Sequence, residues 1–333
     1  MIRVWFNHWF STSYGLIELI KQDEETIYVV GSNLQADSVI QKVCDEWYVE
    51  PALTGEEYIN YCVAFCKEHR IDVFIPRREM IEISKYKQRF EEIGVKVLLD
   101  DYAMIEVLND KAATYELLKD CKNLHIPDYA IVNTVEEFVM AYQKLHAKYD
   151  QICIKFVQDE GGKSFRRVVE QIDDFERLRS YPKMNITYEN LQEILSNAGN
   201  FDDLLIMPYL PDNEISVDCL KTEDGLIAIP RNKGPFRHEQ IEYNEEILEM
   251  VSTIMDKINL QCPCNVQFKI KDQIPYLLEI NPRMSGGLQM SCLAAKVNIP
   301  NIALHKLLGK SVSWTIDKTE KVVSFIEMPK MIR

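Results

Sequence analysis

Within its first hundred residues the chain repeats one pattern, a short apolar β-like run followed by a segment with helical spacing. "IRVWF" (2–6) precedes a helix expected over about 14–22, and "TIYVVG" (26–31) precedes one over about 35–44. A third helix runs from Thr54, a suitable N-cap, to Glu68, with Tyr58, Cys62 and Phe65 on one face. "IDVFIP" (71–76), a helix to about Glu92 and "VKVLL" (95–99) complete the series. Parallel strands need a crossover, usually helical, so this alternation predicts a doubly wound parallel sheet. No G-x-G-x-x-G follows the first strand, so the usual dinucleotide fingerprint is missing.

The texture changes from about residue 103. A helix opens near "NDKAATYELLKD" (109–120), capped by Asn109 or Asp110. Strands are expected at "QICIKFV" (151–157), "DLLIMPYL" (203–210), "EISVDCL" (214–220) and "GLIAIPR" (225–231). A helix over 242–258 leads into "NVQFKI" (265–270) and "PYLLEIN" (275–281). Helices over 288–296 and 300–308 and a last strand in "KVVSFIEM" (321–328) close the pattern. Residues 181–202 are polar and weakly periodic and read as a connection. The expected domains are 1–104, 105–202 and 203–333.

A net charge of −14 gives no global electrostatic case for nucleic acid or an anionic membrane. Any anionic ligand must be held by a local cluster of cations. The N-terminal apolar run is interrupted by Asn7, His8 and Ser11, unlike a signal peptide, and no stretch is long enough to span a bilayer. Nine scattered cysteines without a C-x-x-C pair read as free thiols in a reducing cytoplasm. Cys62, Cys66 and His69 could hold a metal, but buried thiols on an amphipathic helix are the expectation.

Three places carry chemistry. "YLLEINPRMSGG" (276–287) starts as an apolar strand and then sets Glu279, Asn281 and Arg283 at alternate positions. If Asp272–Ile274 form the loop of a hairpin, Gln267 lies opposite Glu279, which gathers three oxygen-bearing side chains with Arg283 just beyond. Such oxygens suit a hard divalent cation that also takes substrate phosphates. Lys111 falls in the first turn of its helix, where the macrodipole disfavours a cation. Lys155 interrupts an apolar run and needs a partner, because an unpaired buried ammonium is costly. "DEGGKS" (159–164) follows, and its glycines would let backbone approach an anion, although it is not a Walker motif.

In this order the pieces resemble the ATP-grasp superfamily, on the side of its carbamoyl phosphate synthetase and biotin carboxylase branch. The resemblance covers about residues 105–300, and "NVQF" with "LLEINPRMSGG" is its most specific part. It implies mixed α/β and α+β architecture: an N-terminal Rossmann-like parallel sheet domain, then a two-subdomain ATP-grasp fold. It further implies ATP and Mg²⁺ (or Mn²⁺) as cofactors. Lys111 and Lys155 would contact phosphates, with Glu160, Gly161 and Gly162 in the loop closing over them. Met207, Pro208 and Leu210 would form the adenine-side hinge, and Glu214 would bind the ribose. Gln267, Glu279 and Asn281 would hold the metal, Arg283 would steady an acyl phosphate, and Arg231 and Lys233 match the basic pair that follows the hinge strands. Met207 stands where the superfamily usually has an acid, and Phe156 where a proline often follows the second lysine.

The implied reaction is an ATP-dependent carboxylate–amine ligation through an acyl phosphate, releasing ADP and phosphate. It needs no side-chain nucleophile, which agrees with the lack of a convincing Ser–His–Asp or Cys–His set. A carboxylate or carbamate phosphotransferase is one alternative, and a non-catalytic ATP-binding sensor or scaffold subunit is another. Partners would be a small carboxylate and an amine, with no nucleic acid and no membrane; a homodimer is compatible with the resemblance. Arg77 and Arg78, just after "IDVFIP", sit where an open α/β sheet often binds ligands or simply begin a solvated helix.

Overall fold

The computed structural model describes residues 1–333 except 8–10, 24–25, 159–161, 174, 176–177, 179–183, 235–236 and 333. The chain divides into two compact units: residues 1–108, 213–267 and 280–333 form the first, and 109–212 with 268–279 the second. The first unit is thus assembled from three separated segments.

In the first unit, β1 (Ile2–Asn7), β2 (Ile27–Asn33), β3 (Glu46–Val49), β4 (Val73–Pro76) and β5 (Lys96–Val97) form a sheet of order β3-β2-β1-β4-β5. Every pairing is parallel, as the strand–helix alternation requires. Helices α1 (Ser13–Lys21), α2 (Gly55–Glu68), α3 (Met80–Lys85), α4 (Lys87–Glu91) and α5 (Tyr102–Asn109) connect and extend it. Thr54 holds the extended N-cap conformation of α2 but makes no side-chain cap bond; Glu56 and Glu57 answer the helix dipole instead. The helix expected over 35–44 shrinks to one 3₁₀ turn, Val39–Lys42, because a single tight turn suffices to bury Ile40. The helix expected to reach Glu92 breaks at Tyr86 into α3 and α4. Strand β3 has no alternating apolar face and was not expected; it is a half-exposed edge strand. Cys62 and Cys66 lie in the core beneath α2, and burial pushes both thiols up, as packing residues rather than ligands.

The second unit carries β6 (Ala130–Val132), β7 (Ile152–Phe156), β8 (Arg166–Val169), β9 (Asn185–Thr187) and β10 (Leu204–Pro208) in the order β6-β10-β7-β8-β9. Only β8 and β9 pair parallel. Around this sheet run α6 (Lys111–Leu118), α7 (Val135–His146) and α8 (Tyr188–Ala198). The last corrects the reading of 181–202 as a connection: Thr187 caps the helix by accepting from Asn190, and Leu191 and Leu195 bury its apolar face.

A third sheet has the order β15-β14-β11-β12-β13-β16, with β11 (Glu214–Thr222), β12 (Gly225–Lys233), β13 (His238–Ile241), β14 (Cys264–Lys271), β15 (Ile274–Asn281) and β16 (Lys321–Ser324). Beside it lie α9 (Glu245–Ile258), α10 (Leu288–Ala295) and α11 (Ile299–Leu307). In the first unit one core joins this sheet to the parallel sheet: Leu220, Ile229, Leu288 and Ile302 pack in the same cluster as Val4, Phe6, Leu16 and Val73. The link between β14 and β15 is Asp272–Gln273, both with left-handed φ (52° and 66°), which marks a two-residue hairpin turn. Ile274 already belongs to β15, so the three-residue loop behind the expected Gln267–Glu279 opposition is corrected to two. Leu277 and Ile280 of β15 are both buried, while Glu279 and Asn281 are partly exposed.

Candidate functional site

In the second unit Lys111 and Lys155 both reach one carboxylate. Lys111 Nζ lies 3.4 Å and Lys155 Nζ 3.9 Å from Glu279 Oε2. Both lysines are 8% exposed, while the Glu279 side chain is 27% exposed. Each comes from a different element. Lys111 opens α6, where Asp110 is the N-cap and accepts from the Ala113 N–H at 2.9 Å. Lys155 projects from β7 beside Leu205 of β10. Glu279 sits near the end of β15. Two ammonium groups thus meet at one carboxylate in a poorly solvated place. That arrangement suits a phosphate chain, which would satisfy the dipole at the start of α6 as well.

A residue not singled out in the sequence holds this triad in register. Tyr115 lies one helical turn beyond Lys111, so both share a face of α6. It is 1% exposed, and its hydroxyl donates to the Leu278 carbonyl at 2.8 Å. The bond ties α6 to the residue just before Glu279. Burial and the Glu279 charge push the Tyr115 phenol well above its ordinary range, so it remains a donor.

The expected hinge lies next to this cluster in the same unit. Met207 and Leu210 join Cys153, Val157 and Leu205 in an apolar patch on the Lys155 side of the sheet. Met207 pairs with Cys153 and Pro208 with Ile152, and the chain then leaves β10. Burial pushes the Cys153 thiol up to about 12, with Lys155 pulling it the other way. An apolar wall beside a lysine can take a flat aromatic base with its phosphates toward the charge. Gly162 has φ +66°, and the Ser164 hydroxyl accepts from the Phe156 N–H at 2.9 Å. Glu160 and Gly161 lie outside the described residues.

Within the first unit Arg231 is 2% exposed and fully engaged. Its Nε donates to Asp218 Oδ2 at 3.0 Å and its Nη1 pairs with Glu239, while Nη2 donates to Ser216 Oγ (3.2 Å) and Ser285 Oγ (3.1 Å). Asp218 also accepts from Ser291 Oγ (2.6 Å) and Asn265 Nδ2 (2.8 Å), and Gln267 Nε2 donates to Asn265 Oδ1 (3.0 Å). Burial alone would lower the Arg231 pKa, but Asp218 and Glu239 hold it above the usual value. Arg231 follows Ile227 and Ile229 on the core side of β12, which is why all of its donors need partners. Its donors thus serve a buried framework. Gly287 is part of that framework, because a Cβ there would lie 2.2 Å from Arg231 Nη1. Lys233 pairs with Glu214 across β11 and β12, so the expected ribose carboxylate is held by the neighbouring cation. Gln267 keeps its oxygen as its metal-capable atom, since the Asn265 bond uses the nitrogen.

Asn281 stands two residues beyond Glu279 on β15, and the Arg283 N–H donates to the Asn281 carbonyl at 2.7 Å in the turn that follows. Arg283 Nη1 donates to the Met284 carbonyl at 3.3 Å. Among the described residues no group of three or more His, Cys, Asp or Glu side chains could hold a metal by itself. The donors on β15 are one carboxylate and one amide oxygen. That set fits a Mg²⁺ ion completed by water and nucleotide phosphates, and does not fit a tightly caged structural metal.

A family model described as "ATP-grasp in the biosynthetic pathway with Ter operon" matches residues 200–330. The arginine-specific carbamoyl phosphate synthase large chain of Geobacillus stearothermophilus is 24% identical over 329 residues, covering 96% of this chain and 29% of its own length. The chain thus spans less than a third of that curated relative. Among solved structures, the biotin carboxylase domain of Hydrogenobacter thermophilus 2-oxoglutarate carboxylase, in complex with MgADP, ADP and bicarbonate, superposes with a TM-score of 0.70 at 18% identity, covering 96% of this chain and 73% of that one. N5-carboxyaminoimidazole synthetase from Staphylococcus aureus, complexed with ADP, gives 0.72 at 16% identity, covering 96% and 81%. The chain shares the fold of these two structures over 96% of its length, and its residues 200–330 match the ATP-grasp family model.

Proposed function

We propose that this protein is an ATP-dependent, Mg²⁺-dependent carboxylate–amine ligase that releases ADP and phosphate. The observation that carries the reading is the convergence of Lys111 and Lys155 on Glu279 within one unit. A binding site for neutral ligands has no use for two buried ammonium groups around one partly exposed carboxylate. The named relatives support it: two are described with ADP, one of them as MgADP, and one is a synthetase.

In this reading Lys111 and Lys155 turn from Glu279 to the phosphate oxygens of ATP and neutralise charge as it develops on the transferring group. Glu279 and Asn281 would hold a divalent cation. When bound, that cation supplies charge neutralisation at the phosphates. The Met207–Leu210 segment receives the base, with the Pro208 carbonyl and the Leu210 N–H on its polar edge. A carboxylate oxygen of the acid attacks the γ-phosphorus and the bond to ADP breaks. The amine then attacks the acyl carbon and phosphate leaves. Arg283 stands ready to neutralise the acyl phosphate, and the Arg231 framework fixes the loop that carries it by bonding Ser285. The free thiols agree with a reducing cytoplasm.

The test is a coupled ADP-release screen over pairs of small carboxylates and amines, with mass spectrometry of the product. An ADP signal that requires both partners, and a product mass equal to their sum less water, is the expected result. ADP release that needs only the acid, with a phosphorylated acid as product, would instead establish a phosphotransferase.

A further inference from the structure

The third sheet has two faces, and the Arg231 framework occupies one of them. Successive residues of a strand point to opposite sides, so Arg231 and Lys233 face one way and Pro230 and Asn232 the other. Partners opposite one another on neighbouring strands share a face. Asn232 stands opposite Ile215 of β11 and Gln240 of β13, and Pro230 stands opposite Val217. Glu242, two residues beyond Gln240 and just past the end of β13, continues on the same side. Helix α9 begins over this face, where Ile247 of its first turn comes against Ile215, Pro230 and Asn232.

Helix and sheet do not close on each other there. They leave a cavity of about 140 Å³ lined by Ile215, Pro230, Asn232, Glu242, Asn244 and Ile247, all within the first unit. A single water needs only about 10–15 Å³ by this measure, so a small organic molecule fits. The lining is not neutral towards what enters. Asn232 Oδ1 is buried and has no hydrogen-bond partner among the described residues. Glu242 is exposed, and no cation pairs with its carboxylate among the described residues. The cations beside Asn232 in the strand are engaged on the other face, Arg231 with Asp218 and Glu239 and Lys233 with Glu214. The start of α9 does not invite an anion either. Asn244 caps it by accepting from the Ile247 N–H at 3.2 Å, and Glu245 and Glu246 already answer its dipole. What remains is a pair of oxygen acceptors over an apolar floor. An orphaned buried acceptor is costly until a donor reaches it, and an ammonium group carries three donors with a positive charge.

We propose that this cavity binds a small aliphatic ammonium ion. Its N–H groups meet the Glu242 carboxylate and the Asn232 carboxamide, which turns its oxygen inward, and its alkyl chain lies against Ile215, Pro230 and Ile247. The ion ties the first turn of α9 to the sheet. Binding requires neither nucleotide nor divalent cation, because the cavity lies on the face turned away from the Arg231 framework.

The test compares wild type with Asn232→Leu and Glu242→Gln, using methylammonium, ethylammonium and propylammonium chlorides as probes. Potassium chloride at the same ionic strength is the control. Calorimetric binding, the melting temperature and ATP binding are read on each protein. The wild type should bind the alkylammonium ions without nucleotide, about fourfold tighter for each CH₂ group added, and melt at a higher temperature with them. Each variant should bind them about tenfold or more weakly. ATP affinity should stay within about twofold in both. Glu242 is exposed, so its variant keeps the fold, and Asn232→Leu should melt no lower than wild type because an unpartnered buried acceptor is gone. A wild type that binds none of the probes overturns the proposal, as does unchanged affinity in either variant. Potassium binding as tightly as propylammonium, or an affinity indifferent to chain length, also overturns it, by reducing the cavity to a site for water or any cation. ATP binding lost in step with probe binding overturns it too, since the two side chains would then be framework residues.

Discussion

Lys111 and Lys155 share Glu279 as a partner, and each side chain can be removed to ask what it does. Lys155→Met should weaken ATP binding by about 30-fold or more, the usual cost of truncating one partner of a buried charged contact; titration with a fluorescent nucleotide checks it. Tyr115→Phe keeps the packing of α6 but leaves the Leu278 carbonyl without its donor. A loss of about 1 kcal/mol in urea denaturation is expected, together with a several-fold rise in KM for ATP as Lys111 loses its register. Lys155 was legible in the sequence because an ammonium within "QICIKFV" has no ordinary explanation. Tyr115 was not, because a tyrosine on a helix is unremarkable until its partner carbonyl is known. Asp218 illustrates the same limit: Glu214, Ser216 and Asp218 alternate as Glu279 and Asn281 do, but alternation cannot say whether a polar face meets water or a buried arginine.

At the scale of elements, the loop from β15 into α10 is shaped by what Arg231 needs. Gly287 has no room for a Cβ, which would meet Arg231 Nη1 at 2.2 Å, whereas a Cβ on Gly286 would meet only Thr12 Cγ2 at 3.6 Å. Gly287→Ala should therefore cost about 2–4 kcal/mol by displacing a buried, paired guanidinium, and Gly286→Ala less than about 1 kcal/mol. Chemical denaturation of the two variants side by side gives the comparison. The strands of the third sheet could be read from the sequence because their apolar alternation is long, eight or nine residues in β11, β12, β14 and β15. Strand β3 and helix α8 could not. One is a half-exposed edge strand of four residues, and the other buries only Leu191 and Leu195 beneath an otherwise polar surface. The hairpin turn was misjudged by one residue because Asp272 and Gln273 adopt left-handed φ without a glycine to announce it.

For the molecule as a whole, the parallel sheet at the N-terminus followed from strand–helix alternation, but its shared core with the C-terminal helices did not. Contacts such as Leu16 with residues near 290–300 depend on chain return over hundreds of residues, which local periodicity does not encode. The proposed ATP site makes a global prediction too. ATP with Mg²⁺ at about a hundred times its Kd should stabilise the fold by about 2.7 kcal/mol, visible as a rise in Tm, and excess EDTA should remove the metal-dependent part. The central claim, that Glu279 and its two lysines activate a carboxylate at the expense of ATP, has one direct test. Acid- and amine-dependent ADP release is measured for wild type and for Glu279→Gln, with ATP binding measured on both. Turnover by the wild type, reduced about 100-fold or more in Glu279→Gln while ATP binding persists, is the predicted result. Equal turnover in the two proteins, or ATP binding without turnover in either across the full substrate screen, would contradict it.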